Sequence, residues 1–375
     1  MLKFNSNKKF GILLFGDLHV HSDYKDNPKF KDMHKMMNAA LDEYKPDLCV
    51  LLGDILSSSF CKENPEGFRQ GLLDICEPIM SRGIPVAAIM GNHEHDAGID
   101  DDLVKAYTDV GIMLRNEDSW TGSNADYKEI LYSSDGETPK AVLWFLDSNN
   151  KCEDESLSNY DFVHTDQIEW FENESDSLKD ANGGKHLPGY VFQHIPVFEE
   201  YELLRKPKIY ELPISVKGHN TREKNLYVGK KGVSGYVGEG PCAPDYNNGQ
   251  FESWKKNGIV AAFFGHDHLN DFSGFVDGIF LAQHKTAGFG CYTDGCRCCV
   301  RYVEIQEETP DKFTHQLKHF KEFGLQCECL GPIFKRISDR QSFWLNHTLK
   351  PLGVAAGVGI ITYSVKKLLF NQEGK

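Results

Sequence analysis

The stretch PVAAIMGNHEHD, Pro85 to Asp96, changes character in the middle. Its first half is an unbroken apolar run, typical of a strand that is buried on both faces. Its second half places one amide, two imidazoles and two carboxylates within six residues. Polar side chains that directly follow a strand lie at the carboxyl end of a sheet, where α/β proteins bind ligands. The stretch therefore predicts an α/β fold with a functional site at one sheet edge.

Four other apolar runs end in the same way. In all five cases a side chain able to bind a metal comes two residues after the last apolar residue, and in four of them a glycine stands between the two. The runs and their following side chains are FGILLF (10–15) with Asp17, DLCVLL (47–52) with Asp54, PVAAIM (85–90) with Asn92, GYVF (189–192) with His194 and IVAAFF (259–264) with His266. Two of the ends add a donor at i+2, His19 and His268. Because these strand ends meet at one edge, we expect the seven side chains to converge.

Helical periodicity separates the strands. Apolar residues recur at helical spacing from Met33 to Tyr44 and from Phe68 to Ile79, and the stretch around Trp170 is also amphipathic. Further strands are predicted at AVLWFL (141–146), at GIFLA near Phe280 and at VRYVEI near Val303. This alternation is typical of a sheet that carries helices on its faces.

Composition and charge restrict the kind of protein. The 375 residues, 40% of them hydrophobic, can build one large α/β domain or two smaller ones. A net charge of −14 repels nucleic acid, which we do not expect as a partner. Eleven cysteines favour free thiols in a reducing compartment over a disulfide framework. No signal-peptide pattern precedes FGILLF, so we expect a cytoplasmic protein.

The seven donors combine nitrogen and oxygen ligands, a mixture that suits borderline divalent metals. They are too many for one tetrahedral zinc ion. They suit two ions about 3.5 to 4 Å apart that share one carboxylate. The sequence therefore predicts a dinuclear metal site.

The series GDLH, GD, GNHE, QH and GHDH, which runs from Asp17 to His268, resembles the calcineurin-like metallophosphoesterase superfamily. The stretches FLDS, GHDHLNDFSG and AGFGCY resemble a subgroup related to purple acid phosphatases, which includes a fungal cell-cycle phosphatase and plant proteins labelled inactive. The resemblance implies a four-layer α-β-β-α sandwich of two mixed sheets. It also implies hydrolysis of a phosphoester by a hydroxide that bridges two metal ions.

The resemblance also implies a role for each residue. One ion would be bound by Asp17, His19, Asp54 and His268, and the other by Asp54, Asn92, His194 and His266. Asp54 would bridge the two ions. His93 would bind no metal and would be the catalytic residue, contacting the phosphate and assisting the leaving oxygen as hydrogen-bond donor or general acid.

One position departs from the purple acid phosphatase pattern. Those enzymes place a tyrosine three residues after the bridging aspartate, where its phenolate holds iron(III), and here that position is Ser57. The loss of a negative ligand leads us to expect two divalent ions, manganese, iron(II) or zinc, and no purple colour. Since the other expected ligands are present, we do not expect the inactivity label of the relatives to apply.

The substrate class implied by the subgroup is a phosphomonoester, with a phosphoprotein as the first candidate. Two alternatives stay open. The same metal core could serve a nucleotide or lipid-head-group phosphodiesterase, and the chain could be a catalytically silent scaffold tethered to a membrane.

The domain boundaries follow from changes in composition. Residues 1–325 are predicted to form the catalytic domain, with an insertion at 197–258 that is either a substrate-facing lid or a solvated loop. The insertion carries cations that could face a phosphorylated substrate: Arg205, Lys206, Lys208, Lys217, Arg222, Lys224, Lys230 and Lys231. Residues 326–351 are predicted to be a linker or helix. Residues 352–370 contain a charge-free run of roughly 21 Å, short of a roughly 30 Å hydrocarbon core, and are either a C-terminal anchor to an intracellular membrane or a buried helix.

Several polar residues near the motifs are candidates for holding the loops or supporting the ligands through hydrogen bonds: His21, Asp23, Glu94, His95, Asp96, Asp147, Asn270 and Asp271. The late cysteines, Cys291, Cys296, Cys298, Cys299, Cys327 and Cys329, do not have the spacing of a standard zinc motif. Free thiols are therefore favoured over a second metal site.

Overall fold

The computed structural model describes residues 1–63, 67–98, 100–114 and 125–331. The strands, numbered along the chain, are β1 Leu2–Lys3, β2 Lys9–Phe15, β3 Leu48–Leu52, β4 Val86–Ile89, β5 Tyr127–Tyr132, β6 Pro139–Leu146, β7 Gly189–Gln193, β8 Leu204–Arg205, β9 Val216–Lys217, β10 Leu226–Gly229, β11 Ile259–Phe264, β12 Ser273–Val276, β13 Ile279–Gln283, β14 Cys299–Gln306 and β15 Thr309–His319. The α-helices are α1 Pro28–Tyr44, α2 Ser58–Glu63, α3 Phe68–Met80, α4 Asn92–His95, α5 Asp100–Asp109, α6 Thr165–Ala181 and α7 Gln250–Lys256. All eight predicted strands and all three predicted helices are present.

The strands form two large mixed sheets. The first has five strands in the order β15-β14-β2-β3-β4, in which β2, β3 and β4 are parallel and β14 is antiparallel to both of its neighbours. The second has seven strands in the order β1-β5-β6-β7-β11-β13-β12, with a parallel centre from β6 to β13. In the parallel centre of each sheet, the strand ends that carry the predicted donors all point in the same direction.

The two sheets pack face to face. The Phe313 ring on β15 lies 6.3 Å from the Phe263 ring and 5.3 Å from the Phe280 ring of the second sheet, measured between centroids. Tyr127 on β5 donates a hydrogen bond to the carbonyl of Ala88 on β4 at 2.8 Å. Apolar side chains of both sheets therefore share one central core.

Helices cover the outer faces. The methionines of α1, with Leu72 and Ile75 of α3, join the core of the first sheet. On the second sheet, Trp144 of β6 packs on Phe171 of α6 with ring centroids 4.7 Å apart, and Trp254 of α7 joins the same outer cluster. The result is the α-β-β-α sandwich that the resemblance implied.

Local signals in the sequence explain where α1 begins and ends. Pro28 is the first helical residue, where its missing N–H costs nothing, and the Asn27 side chain accepts a hydrogen bond from the Lys29 N–H at 3.0 Å. Lys45 ends the helix in the left-handed conformation. The helix then returns the chain to β3 beside β2, as a right-handed βαβ unit requires.

The insertion at 197–258 contains regular structure. Strands β8, β10 and β9 form a small third sheet, three 3-10 helices span Phe198–Leu203, Ile209–Ile214 and Asn220–Arg222, and α7 closes the segment. Three of its eight cations pair with acids within it: Arg205 with Glu211, Arg222 with Asp245 and Lys217 with Glu223. The charges of these three are therefore partly offset before any phosphorylated substrate binds.

The predicted C-terminal anchor, residues 352–370, lies outside the described residues, as does most of the predicted linker at 326–351. The described part of that linker, 326–331, has no helix or strand. Across the described ranges, no helix has both the length and the apolar character needed to cross a membrane.

Candidate dinuclear metal site

The seven predicted donors converge at the carboxyl ends of five strands, three from the first sheet and two from the second. We call them the strand-end cluster: Asp17 and His19 after β2, Asp54 after β3, Asn92 after β4, His194 after β7, and His266 and His268 after β11. All seven side chains are buried.

One half of the cluster contains Asp17, His19, Asp54 and His268. Ligand atoms of these four residues all lie within 4.8 Å of one another. The His19 Nε2 atom lies 3.0 Å from His268 Nε2 and 3.4 Å from Asp54 Oδ2. Two imidazole nitrogens and two carboxylates therefore surround one point, as the resemblance implied for the first ion.

The other half contains Asp54, Asn92, His194 and His266. Ligand atoms of Asp54, His194 and His266 lie within 4.8 Å of one another. His194 Nε2 lies 3.3 Å from Asp54 Oδ2 and 3.1 Å from Asn92 Oδ1. Asp54 belongs to both halves, which is the arrangement expected of a bridging carboxylate.

Three of the four histidines have a pKa that fits a metal site. Burial lowers the pKa of His19 and His266 well below the usual value, and lowers the pKa of His268 to about 4. These imidazoles are therefore neutral near pH 7, which is the form that binds metals. Burial alone would lower the pKa of the fourth, His194, but Asp54 and Asp17 raise it to about 10, so a metal ion that binds there has to displace a proton. The His266 Nε2 atom is buried without a hydrogen-bond partner among the described residues, so a cation at this place would satisfy it.

The carboxylates also fit a metal. Burial raises the pKa of Asp17 well above its usual value, and the nearby Asp54 adds to the rise. Burial acts on Asp54 in the same direction, but His194 and His19 hold its pKa well below the usual value. Divalent ions between the two carboxylates would keep both of them ionised.

Main-chain carbonyls orient two of the imidazoles. His194 Nδ1 donates to the carbonyl of Leu52 at 2.7 Å, and His268 Nδ1 donates to the carbonyl of Tyr292 at 2.9 Å. A carbonyl can only accept, so Nδ1 carries the proton and Nε2 is left as the ligand atom. Both Nε2 atoms point into the cluster.

The backbone of the cluster is held in an unusual conformation. Four donors lie in the left-handed region, with φ of 54° at Asp17, 45° at His19, 49° at Asp54 and 74° at His266. Such conformations cost about 1 to 3 kcal/mol each and persist where the surrounding structure imposes them. The chain turns sharply after each strand, which brings the side chains back over the strand ends.

The glycines of the motifs allow close approach. A Cβ atom at Gly91 would overlap the Asp54 carboxylate, and a Cβ at Gly53 would lie 2.6 Å from His194 Nδ1. Gly53 also has a φ of 81°. No other residue type fits these positions without displacing a predicted ligand.

Glu94, which the sequence suggested only as a support, organises the turn that carries Asp54. Its buried carboxylate accepts hydrogen bonds from the main-chain N–H groups of Asp54, Ile55, Leu56 and Gly91, at 2.7 to 3.0 Å. The Tyr107 hydroxyl donates to it as well, at 3.1 Å. One side chain thus ties the β3 and β4 ends together.

His93 lies at the mouth of the cluster. Its Nε2 atom is 3.9 Å from Asp54 Oδ2, and its side chain is 37% exposed. On the other side of the ring, Nδ1 lies 3.1 Å from Asp96 Oδ2 and 2.8 Å from Ser58 Oγ. The imidazole is therefore held by one nitrogen while the other faces the predicted metal position. No motif in the sequence indicated the contact from Ser58.

Most of the other candidate supporting residues have identified partners. His95 Nε2 lies 2.9 Å from Asp147 Oδ1, which pairs two of the candidates with each other. Asn270 Oδ1 accepts from the N–H groups of Gly238 and Glu239, so it fastens the insertion to the β11 end. Three candidates remain. Asp271 forms an ion pair with Lys285, and His21 Nε2 donates a hydrogen bond to the carbonyl of Gly290 at 3.0 Å. Asp23 is exposed.

Two further residues bear on the metal chemistry. Ser57, at the position where the purple acid phosphatase pattern has tyrosine, accepts a hydrogen bond from the Phe60 N–H at 3.1 Å and so caps α2. Cys291 was predicted only as a free thiol, yet its Sγ atom lies within 4.8 Å of ligand nitrogens of His19 and His268. It follows β13 by eight residues, a spacing that no motif indicated.

The chain matches one family model and is similar to several known proteins. A family model described as calcineurin-like phosphoesterase matches residues 10–270. Two relatives from Arabidopsis thaliana are Probable inactive purple acid phosphatase 28, 24% identical over 78% of this chain and 73% of its own length, and Probable inactive purple acid phosphatase 14, 27% identical over 82% and 78%. Phosphatase DCR2 of Saccharomyces cerevisiae is 27% identical over 70% of this chain and 45% of its own. Among solved structures, a dimetal phosphatase from Danio rerio aligns over 83% of this chain and 99% of its own, with 12% identity and a TM-score of 0.48.

Proposed function

The chain belongs to the calcineurin-like phosphoesterase family, and we propose that it hydrolyses a phosphomonoester at two divalent metal ions bound by the strand-end cluster. The observation that supports this most directly is the position of Asp54. It is common to two sets of buried donors and lies 3.9 Å from the exposed nitrogen of His93. A scaffold that binds metal without turnover would also need the shared carboxylate, but it would not need the oriented imidazole.

The charge of the site favours a phosphate. Two divalent ions, when bound, supply +4 and an activated water nucleophile. Asp17 and Asp54 offset only two of those charges, because Asn92 and the four histidines bind as neutral ligands. The site keeps a positive charge, which attracts a phosphate dianion and stabilises the charge that develops in the transition state.

His93 acts on the leaving oxygen. Asp96 accepts from its Nδ1 atom and Ser58 contacts the same nitrogen, so the ring cannot turn freely. Its Nε2 atom is aimed at the space over Asp54, where a bound phosphate would lie. From there the imidazole can donate a hydrogen bond or a proton to the oxygen that departs.

The insertion at 197–258 forms a lid beside the second half of the cluster. Tyr160 stands between the two, since its ring lies 4.4 Å from that of His266 and 5.9 Å from that of His219 in the insertion. Asn270 binds the insertion's main chain on the side of His268. A substrate that enters between His93 and His219 would meet aromatic and imidazole groups, as well as the metals.

The substrate class proposed is a phosphoprotein or another phosphomonoester. The support is that one relative is named a phosphatase, DCR2, while the two plant relatives are named probable inactive purple acid phosphatases. The test uses the full chain, stripped of metal and reloaded with manganese, iron(II) or zinc, on p-nitrophenyl phosphate, bis(p-nitrophenyl) phosphate and a set of phosphopeptides. Faster turnover of the diester than of the monoester would favour the phosphodiesterase alternative, and no turnover with any metal would favour the silent scaffold.

Replacement of His93 tests the catalytic assignment. We expect His93→Ala to lower kcat about 10²- to 10⁴-fold, because general acid catalysis contributes about that much. Elemental analysis should find the same metal content per chain as in the wild type, since His93 is not a proposed ligand. The matched control is His186→Ala, which lies just before the start of β7, at the end of that strand opposite the cluster. It should keep full activity. Loss of metal from His93→Ala would contradict the assignment.

A further inference from the structure

A second group of metal-binding side chains lies away from the strand ends. We call it the thiol cluster: Asp32 on α1, Cys296 in the 3-10 helix Gly295–Arg297, and Cys327 and Cys329 in the segment after β15. All eleven cysteines lie within the described residues, and none of them forms a disulfide. These three thiols come from two parts of the chain about thirty residues apart and meet beside a helix that lies about 265 residues earlier.

The contacts within the thiol cluster are close. Cys327 Sγ lies 3.6 Å from Cys329 Sγ and 3.3 Å from Asp32 Oδ2. Ligand atoms of Asp32, Cys327 and Cys329 are all within 4.8 Å of one another. Cys296 forms a hydrogen bond with Cys327 from the other side. Cys327 is thus the centre of the group.

These distances suit zinc. Zn–S bonds of about 2.3 Å and Zn–O bonds of about 2.1 Å in a tetrahedron set the ligand atoms roughly 3.6 to 3.8 Å apart. The two separations at Cys327, 3.6 and 3.3 Å, fall within about 0.3 Å of those values. Cys296, which contacts Cys327, is the candidate for the fourth donor.

The surroundings also favour a cation with thiolate ligands. Cys296 and Cys327 are 4% and 5% exposed, whereas Cys329 is half-buried and leaves a path from solvent. Three thiolates, one carboxylate and one zinc ion would carry a net charge of −2. Lys35 Nζ lies 2.9 Å from Asp32 Oδ1 and 2.6 Å from Glu328 Oε1, and Arg297, which lies beside Cys296, also pairs with Asp294, so these two cations offset part of that charge.

We propose that Asp32, Cys296, Cys327 and Cys329 bind a zinc ion that is separate from the two ions of the strand-end cluster. Binding releases to solvent the protons that the thiols still carry. The ion would fasten the segment after β15 to α1, a structural role that needs four protein ligands and no open position.

The test measures zinc in the full chain, purified under reducing conditions and loaded with zinc alone. Wild-type protein should bind one zinc per chain more than Cys327→Ser. If Cys327→Ser does not fold, Cys329→Ser, at a half-exposed position, replaces it and should also lose that zinc. Cys152→Ser, a buried cysteine on another loop, should bind as much zinc as the wild type.

Cobalt(II) in place of zinc gives an independent signal, because thiolate ligands produce charge-transfer absorbance in the near ultraviolet. We expect that absorbance to persist in Cys291→Ser, which removes the thiol beside the strand-end cluster, and to disappear in Cys327→Ser. Equal zinc content in the wild type, Cys327→Ser and Cys329→Ser would overturn the proposal. Absorbance that depends on Cys291 alone would overturn it as well.

Discussion

The strand-end cluster and the thiol cluster differ in what holds them in place. The strand-end donors stand on turns between buried strands and packed loops, with four of them in left-handed backbone conformations. The thiol donors stand on a helix surface, a 3-10 helix and an irregular segment. The first arrangement is imposed by two sheets, and the second depends largely on the hydrogen bonds of Asp32.

The difference teaches what each cluster can do. A site held by the central sheets keeps its geometry while substrate enters and product leaves, which catalysis requires. A site built from peripheral segments joins them, so its natural role is to stabilise the fold. Changes in the strand-end cluster should therefore act on turnover, and changes in the thiol cluster should act on stability.

Replacement of the bridging carboxylate should have the largest effect. Asp54→Asn removes the negative ligand that both metal positions share, and we expect kcat/KM to fall roughly 10³-fold or more, since even indirect supports of metal ligands cost about 10 to 100-fold. Elemental analysis should show loss of the strand-end metals with the thiol-cluster zinc retained. Asp23→Asn, at an exposed loop position, is the control. Loss of zinc from both sites would contradict their independence.

Glu94 tests whether the strand-end geometry is imposed by hydrogen bonds to the main chain. Glu94→Gln replaces one acceptor oxygen with an amide group, which would strand two of the buried N–H donors now bound to it. We expect the free energy of unfolding to fall by about 2 to 4 kcal/mol, measured by urea denaturation. The exposed Glu155→Gln should change it by less than about 0.5 kcal/mol. An unchanged free energy of unfolding in Glu94→Gln would mean that the sheets alone hold the turn in place.

Asp32 gives the smallest effect and a dependence on pH. Burial would raise its pKa, but hydrogen bonds from the Cys329 N–H and from Lys35 hold that pKa below the usual value. Its contribution to stability is therefore present above about pH 4, the pKa of an aspartate in the unfolded chain, and is lost as the pH falls through the lower folded value.

We expect Asp32→Asn to cost about 1 to 2 kcal/mol at pH 7. The difference in the free energy of unfolding between wild type and variant, measured by urea denaturation, should become smaller as the pH falls below about 4. Asp42→Asn, exposed on the same helix, should change the free energy of unfolding by no more than about 0.5 kcal/mol. A loss of stability in Asp32→Asn that grows in acid would contradict the role given to the Asp32 carboxylate.

The strands and donors of the central sheets could be predicted because their signals are local. An apolar run followed two residues later by a polar ligand specifies both a strand and the side chain at its end, as at Asp17 and His194. The strands that went unpredicted lack such a run. β15 is mostly exposed or half-buried, and β5 has only Tyr127 and Leu131 fully buried.

The remaining features could not be predicted because they depend on contacts between distant segments. Glu94 acts through main-chain N–H groups, which any sequence carries, so nothing nearby marks its partners. Cys296 and Cys327 lie about thirty residues apart in the chain, so no local pattern marks them as a pair. Strands β8 and β9, with two residues each, are too short to show a period.

The left-handed turns limit which metals this fold could be adapted to by substitution. Asp and His are among the few residues other than glycine that adopt positive φ at modest cost, whereas bulky or β-branched residues do so rarely. The strand ends therefore select, through the backbone alone, the same side chains that divalent metals bind. A variant that exchanged Asp17 or His266 for a softer ligand would change the backbone preference of its turn together with the metal preference. Directed evolution toward a different metal should therefore favour changes at Asn92 and His194, the two donors of the second half that lack positive φ, before it changes the other ligands.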